Sequence, residues 1–464
     1  MKLDAGTELP DKFILTDEFK EFCKLINDTS TNLFITGKAG SGKSTLLEYF
    51  RQNTDKNIAT LANQGITAIK AKGQTIHSFF KFGPHFISDQ DIKILIGDKK
   101  EVLQNLDTIL IDEISMVRAD LFDAINLSLK KNRKNNKPFG GVQIILFGDV
   151  MQIDPIVSSV EKEVMEKFYP NGRFFFNSNI YKEGNFKQIE LTKIFRQSDE
   201  TFINLLNKIR INKTTNSDLL ILNKRIVTYD TVPEGTIVLA PTNRKVDDIN
   251  NTNLYKLKTP TYNYNAIIKG GWKEKEYPVK KEIILKEGAQ IMITKNDTDE
   301  PKKWVNGTLG VICSLSKNKI KIKIKDKIFY LGKTKWDKYV HQFIGNKISR
   351  KSVGSFIQFP LKLAWAVTIH KSQGQTFDNV AIDLDTGSFA HGQTYVALSR
   401  SKTLDGISLL KKINETYKLI TNIEFGMFST KPPKNKDEIL LFLKNISEKS
   451  ARSADNFEKD RKST

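Results

Sequence analysis

The stretch Gly37-Lys-Ala-Gly-Ser-Gly42-Lys43-Ser44-Thr45 limits what this chain can fold into more than any other. Gly37 and Gly42 bracket four residues and lead into Lys43 and Ser44, which is the P-loop pattern. The pattern has meaning only between a strand and a helix. Here the apolar run NLFITG precedes it and the helical pattern STLLEYFRQ follows. Glycines let the backbone wrap a phosphate chain with its N–H groups turned inward, while a lysine reaches the outer phosphates and a hydroxyl serves Mg²⁺. Gly37, Gly40, Gly42, Lys43, Ser44 and Thr45 are therefore the expected cradle of a triphosphate.

Downstream carboxylates fit the same site. Thr108-Ile-Leu-Ile-Asp112-Glu113 is an apolar strand ending in two acids, at the end where parallel strands bind ligands. Asp112 is placed to hold Mg²⁺ and Glu113 to activate the attacking water. Phe147-Gly-Asp149-Val-Met-Gln152 closes a third strand-like run, and Gln152 is a candidate γ-phosphate sensor. Arg196 and Arg400 are distant in sequence. Arginines brought from another unit strongly assist phosphoryl transfer.

Strand-like runs alternate with helical patterns through the first two hundred residues, and the alternation resumes after them. This predicts an α/β protein with parallel sheets in two halves. The expected organisation is residues 1–200 as a first P-loop domain, with a wedge-like insert at about 84–105. A second α/β domain spans 201–304 and 359–430. Between its parts, 305–358 reads as short antiparallel strands forming a small β-barrel. Residues 431–464 read as a helix, DEILLFLKNISEK, and a charged tail.

Within the insert, KNKIKIKIKDK alternates lysine with isoleucine, the period of a half-buried strand. The lysines either protect a strand edge, steer a polyanion, or touch phosphates through Lys319, Lys321 or Lys323. The whole chain carries 73 Lys and Arg against 53 Asp and Glu, a net charge of +20, which favours a polyanionic partner. No apolar run is long enough to span a bilayer, and the N-terminal MKLDAGTELPDKF has no secretory pattern. Cys23 and Cys313 build neither a disulfide framework nor a zinc site, so a cytoplasmic location is expected.

In order, TGKAGSGKSTLL, GITAIKAKGQTIHSFFKF, ILIDEISMV, FGGVQIILFGDVMQIDPI, LTKIFRQSD, WVNGTLGVI, LKLAWAVTIHKSQGQTFDNV and GQTYVALSRSK resemble the petite-integration-frequency helicases, a 5′→3′ branch of superfamily-one DNA helicases related to RecD. The resemblance runs from about residue 13 to 412. It implies two RecA-like domains with ATP between them and the inserted barrel over the exit track. It assigns Lys43, Ser44, Asp112, Glu113 and Gln152 to one wall of the site and Arg196 and Arg400 to its completion, with Gly374 near the γ-phosphate. It also places Gly65, His77, Phe79, Thr242, Asn243, His370 and Lys371 against DNA. The implied partner is single-stranded or tailed duplex DNA, bound by a monomer.

Three positions depart from that family pattern. Phe19 stands where a glutamine usually reads adenine. Ala62-Asn-Gln-Gly65 replaces Ala-Pro-Thr-Gly, and Gln152-Ile-Asp-Pro155 replaces Gln-Leu-Pro-Pro. A DNA-binding ATP switch that never unwinds shares the same P-loop. A P-loop small-molecule kinase would need neither the second half nor the charge.

Overall fold

The computed structural model describes residues 16–413, apart from 84, 198, 298, 300–302, 345–346 and 385–391. The expected C-terminal helix at 431–464 lies outside the described residues.

Six strands form the first sheet: β1 (Leu33–Gly37), β2 (Ile58–Ala62), β3 (Gln74–Thr75), β4 (Thr108–Asp112), β5 (Gln143–Phe147) and β6 (Lys187–Leu191). Their order is β3-β2-β4-β5-β1-β6, and every pairing is parallel. Strands buried on both faces read as continuous apolar runs, and the core shows why. Ile109 and Ile111 of β4 enter one cluster with Phe34, Ile144 and Leu146. Leu110 enters the opposite cluster with Leu33, Ile35, Ile145 and Phe147. Parallel pairing then brings the carboxyl ends of β1, β4 and β5 to one edge, and with them the P-loop, Asp112-Glu113 and Asp149.

The second half has its own parallel sheet of four strands, Ala366–Thr368, Ile237–Ala240, Val380–Ile382 and Ile407–Leu409 in that order. Its core takes in Ala39 and Ile153 from the first half, beside Tyr395 and Leu398. The seam between the halves is thus packed with apolar side chains.

The antiparallel region differs from the expected 305–358. Its strands begin at Thr261 and end at Leu363. Lys319–Ile324 lies inside a five-stranded sheet, between Leu309–Leu315 and Lys327–Gly332. Edge protection therefore does not explain the lysine row, because its strand is paired on both sides. Ile320 and Ile322 are fully buried, while Lys319 and Lys323 are exposed. In the long hairpin Thr334–Ile344/Lys347–Gln358 only the end of the second strand, GSFIQ, is legible as strand; charged and polar residues interrupt the alternation of the rest.

Candidate nucleotide site and nucleic-acid track

The P-loop turns back on itself after β1. Gly40 and Gly42 adopt φ of +83° and +88°, in the left-handed region. A Cβ on Gly40 would lie 2.5 Å from Cβ of Arg196, so only glycine lets that arginine come this close. The backbone adds a stitch: Phe195 N–H donates to the Gly40 carbonyl at 2.9 Å. The Lys43 ammonium, enclosed although part of its side chain stays accessible, donates to the carbonyls of Gly37 (2.7 Å) and Lys38 (3.0 Å). Burial pushes its pKa down, and Asp149 and Glu113 oppose that shift.

Glu113 follows β4 with φ +51° and ψ +49°, and its N–H donates to Asp112 Oδ1 at 2.9 Å. Such a left-handed residue directs its side chain away from the strand line. Glu113 acts electrostatically on Lys43, Arg196 and Arg400. These four, widely separated in sequence, share one locality.

Arg400 is 1% exposed. Its guanidinium donates to the carbonyls of Val396 (2.8 Å), Gln375 (3.3 Å) and Ser372 (3.4 Å) and to Ser399 Oγ (2.8 Å). All are neutral oxygens. Burial pushes its pKa down, and the facing Arg196 adds to that. Arg196 in turn donates to the Ser399 carbonyl at 3.2 Å. Two cations held close, with Glu113 nearby, form a positive wall facing the Lys43 loop.

Gln152 is buried and bridges the halves: it donates to Asp149 Oδ2 at 3.3 Å and accepts from Gln373 Nε2 at 3.4 Å. Gly374, with φ +69°, follows that glutamine in a turn anchored by Arg400. Ser44 is exposed at the start of the helix Lys43–Gln52, Thr45 is half-buried behind it, and Asp112 is half-buried at the end of β4.

Sequence reasoning missed three members. Asp149 is fully buried and pairs with Arg210 at 2.9 Å. Burial opposes ionisation of Asp149, but Arg210 and Lys43 hold its pKa below the ordinary value. Tyr395 accepts from Ala39 N–H at 3.0 Å. The Gly-Asp after a buried strand could have flagged Asp149. Nothing in ETFINLLNKIR separates Arg210 from a solvated basic residue at a helix end.

The expected nucleic-acid residues follow the carboxyl ends of adjacent strands: Gly65 after β2, His77 after β3, Thr242 after Ile237–Ala240, and His370 after Ala366–Thr368. Thr242 caps the helix Asn243–Lys256, and Lys371 Nζ donates to Asn243 Oδ1 at 3.0 Å. His77 is half-buried on the short helix Ile76–Phe80. Phe79 is 7% exposed and packs edge-on against Phe80, with ring centroids 4.9 Å apart. Positions 76, 79 and 80 share one helix face, and that face is the core side. Phe80 and Phe82 stack there too.

Two departures gain a physical account. Phe19 is buried in the core beside Phe22 and Phe50, and its Cζ would sit 3.3 Å from a Cβ on Gly42. Asp154 is 4% exposed and paired with Arg173, and it acts on His370 across the seam.

Residues 14–219 match the model of the PIF1-like helicases, and residues 363–404 match the UvrD-like helicase C-terminal domain. The chain is 33% identical to the human ATP-dependent DNA helicase PIF1 over 395 residues, which are 82% of this chain and 58% of that protein. It is 30% identical to the ATP-dependent DNA helicase Pif1 of Bdellovibrio bacteriovorus over 388 residues, 82% of this chain and 84% of that one. The fold matches the crystal structure of Pif1 from a Bacteroides species in complex with ADP-AlF4, with TM-score 0.83 and 36% identity over 90% of this chain and 98% of that one. The chain thus spans less than two thirds of the human relative's length, but 84% of the Bdellovibrio protein and 98% of the Bacteroides chain. With 30% identity to a helicase of which the chain covers 84%, a matching family model and a shared fold, the chain is a member of the PIF1-like helicase family.

Proposed function

We propose that this chain is an ATP-driven DNA helicase that moves 5′→3′ along a single strand and separates tailed or structured duplexes. The observation that carries the reading is the meeting of Lys43 and Glu113 with Arg196 and Arg400 at a seam closed by the Ala39–Tyr395 bond. Lys43 and the P-loop N–H groups hold the outer phosphates. Glu113 orients and deprotonates the attacking water. Arg196 and Arg400 stabilise the charge that develops on the transferred phosphoryl group. Gln152, hydrogen-bonded to Gln373 of the other half, senses whether the γ-phosphate is present. Loss of that phosphate weakens the hold between the halves, and alternating grip follows.

The residues also fit Mg²⁺. An exposed hydroxyl and a half-buried carboxylate are hard oxygen donors, suited to a cation that otherwise keeps waters and phosphate oxygens. Among the described residues no group of three or more His, Cys, Asp or Glu forms a self-sufficient metal cage. Ser44 and Asp112 would hold the ion, which supplies charge neutralisation at the phosphates.

His77, Thr242, Asn243, His370 and Lys371, with the Gly65 backbone, line the strand ends where a nucleic acid would cross both halves. Both walls of the seam come from one chain, so a monomer suffices. No helix among the described residues is long and apolar enough to cross a membrane. The reading is tested by strand displacement on 5′-tailed and 3′-tailed duplexes. Only the 5′-tailed substrate should open, and only with Lys43 intact. ATP-dependent conformational change without displacement on either substrate would favour the switch reading instead.

A further inference from the structure

Away from the nucleotide seam, three lysines from three separate elements converge. Lys81 follows the helix Ile76–Phe80 that carries His77, with φ +65° and its N–H bonded to the His77 carbonyl. Lys99 lies in the first turn of the helix Asp98–Gln104. Lys338 stands in the strand Thr334–Ile344, beside a register shift at Lys338/Tyr339. The long hairpin docks here on the first half, where Gln74 Nε2 donates to the Tyr339 carbonyl at 2.7 Å. Lys338 is anchored by Glu276 (2.6 Å) and the Gly271 carbonyl (2.7 Å) and is 19% exposed. The helix carrying Lys99 packs on the strand carrying Lys338, and the Lys99 ammonium feels the charges of both Lys81 and Lys338. Burial and these two cations push the Lys99 pKa down to about 8.

Like charges gathered at a joint are unfavourable unless an anion joins them. Lys338 already has its acid in Glu276, whereas the charges acting most strongly on Lys99 are both lysines. The cluster adjoins the helix bearing His77, so the anion nearest at hand is a nucleic-acid phosphate. We propose that Lys81, Lys99 and Lys338 form a backbone-phosphate clamp between the first half and the long hairpin, a contact that ties the β module to the bound DNA. This rests on the DNA-binding reading above.

The site is read from the salt dependence of binding. Each phosphate contact made by a lysine adds about 0.7 to the slope of log affinity against log salt on single strands, and about 0.9 on duplex. Fluorescence anisotropy would be measured for the full chain with an oligothymidylate and with a 5′-tailed duplex. Lys81→Gln/Lys99→Gln should lower the slope by about one to two units without lowering the melting midpoint, and Lys99→Arg should keep the slope. A change with the oligothymidylate assigns the phosphate to the tracking strand, and a change only with the tailed duplex assigns it to the duplex arm. Unchanged slopes on both probes overturn the clamp. So does a lowered melting midpoint that Lys99→Arg fails to restore. Wild-type protein that binds neither probe would instead overturn the DNA-binding reading itself.

Discussion

The backbone N–H of Ala39, inside the P-loop, donates to the phenolic oxygen of Tyr395 at 3.0 Å. Tyr395 sits on the helix Gln393–Leu398 of the other half, and Arg400 follows that helix. Removing the hydroxyl leaves a buried N–H without its partner, which costs about 1–3 kcal/mol. Tyr395→Phe is expected to weaken closure over nucleotide, raising KM for ATP about tenfold with a smaller change in kcat. Steady-state hydrolysis at saturating DNA checks this split.

Arg196→Ala should lower kcat for ATP hydrolysis by about 10³-fold or more while nucleotide affinity changes little, because the guanidinium acts mainly on the transition state. Fluorescent-nucleotide binding beside single-turnover hydrolysis separates the two effects. A drop in affinity that accounts for all the lost rate would contradict the assigned role.

Asp149 and Arg210 form a buried pair, 0% and 8% exposed. Asp149→Asn leaves Arg210 uncompensated and should destabilise the chain by about 3–5 kcal/mol, read by denaturant unfolding. The pH dependence has a definite sign. The folded pKa of Asp149 is lowered, so its contribution is present above the ordinary carboxylate value of about 4 and is lost as pH falls through the lowered value. Wild-type stability should therefore fall more steeply below pH 4 than that of Asp149→Asn.

Asp154 raises the pKa of His370, which burial otherwise lowers. Asp154→Asn should move the His370 titration to lower pH, measured on its imidazole by NMR. An unmoved titration would mean that the two groups do not communicate across the seam.

Phe19, buried beside Gly42 of the P-loop, carries no group that could hydrogen-bond a nucleobase edge. An apolar wall discriminates weakly among ring systems of similar size. Hydrolysis of GTP and ATP should accordingly show kcat/KM values within about tenfold of each other.

The parts of this account that were legible in sequence share a local cause. The P-loop, the Asp112-Glu113 pair and the strands β1, β4 and β5 announce themselves because each packs its chemistry into consecutive residues. The packing of Phe79 was less legible, because a three-residue helical spacing, not its neighbours in the motif, sets it among the core residues. Asp149–Arg210 and Ala39–Tyr395 join residues sixty or more positions apart, and only folding brings them together. The lysine strand read correctly as half-buried. Its place inside the sheet depended on Lys327–Gly332, which the alternation of Lys319–Ile324 does not encode.

The central claim is that triphosphate cleavage at the seam governs how the two halves grip a polynucleotide. It is tested most directly by the steady-state rate of ATP hydrolysis with and without an oligothymidylate. Strong stimulation by the single strand is expected in the wild type, and none in Lys43→Ala or Arg196→Ala. A wild-type rate that the oligonucleotide leaves unmoved would contradict it.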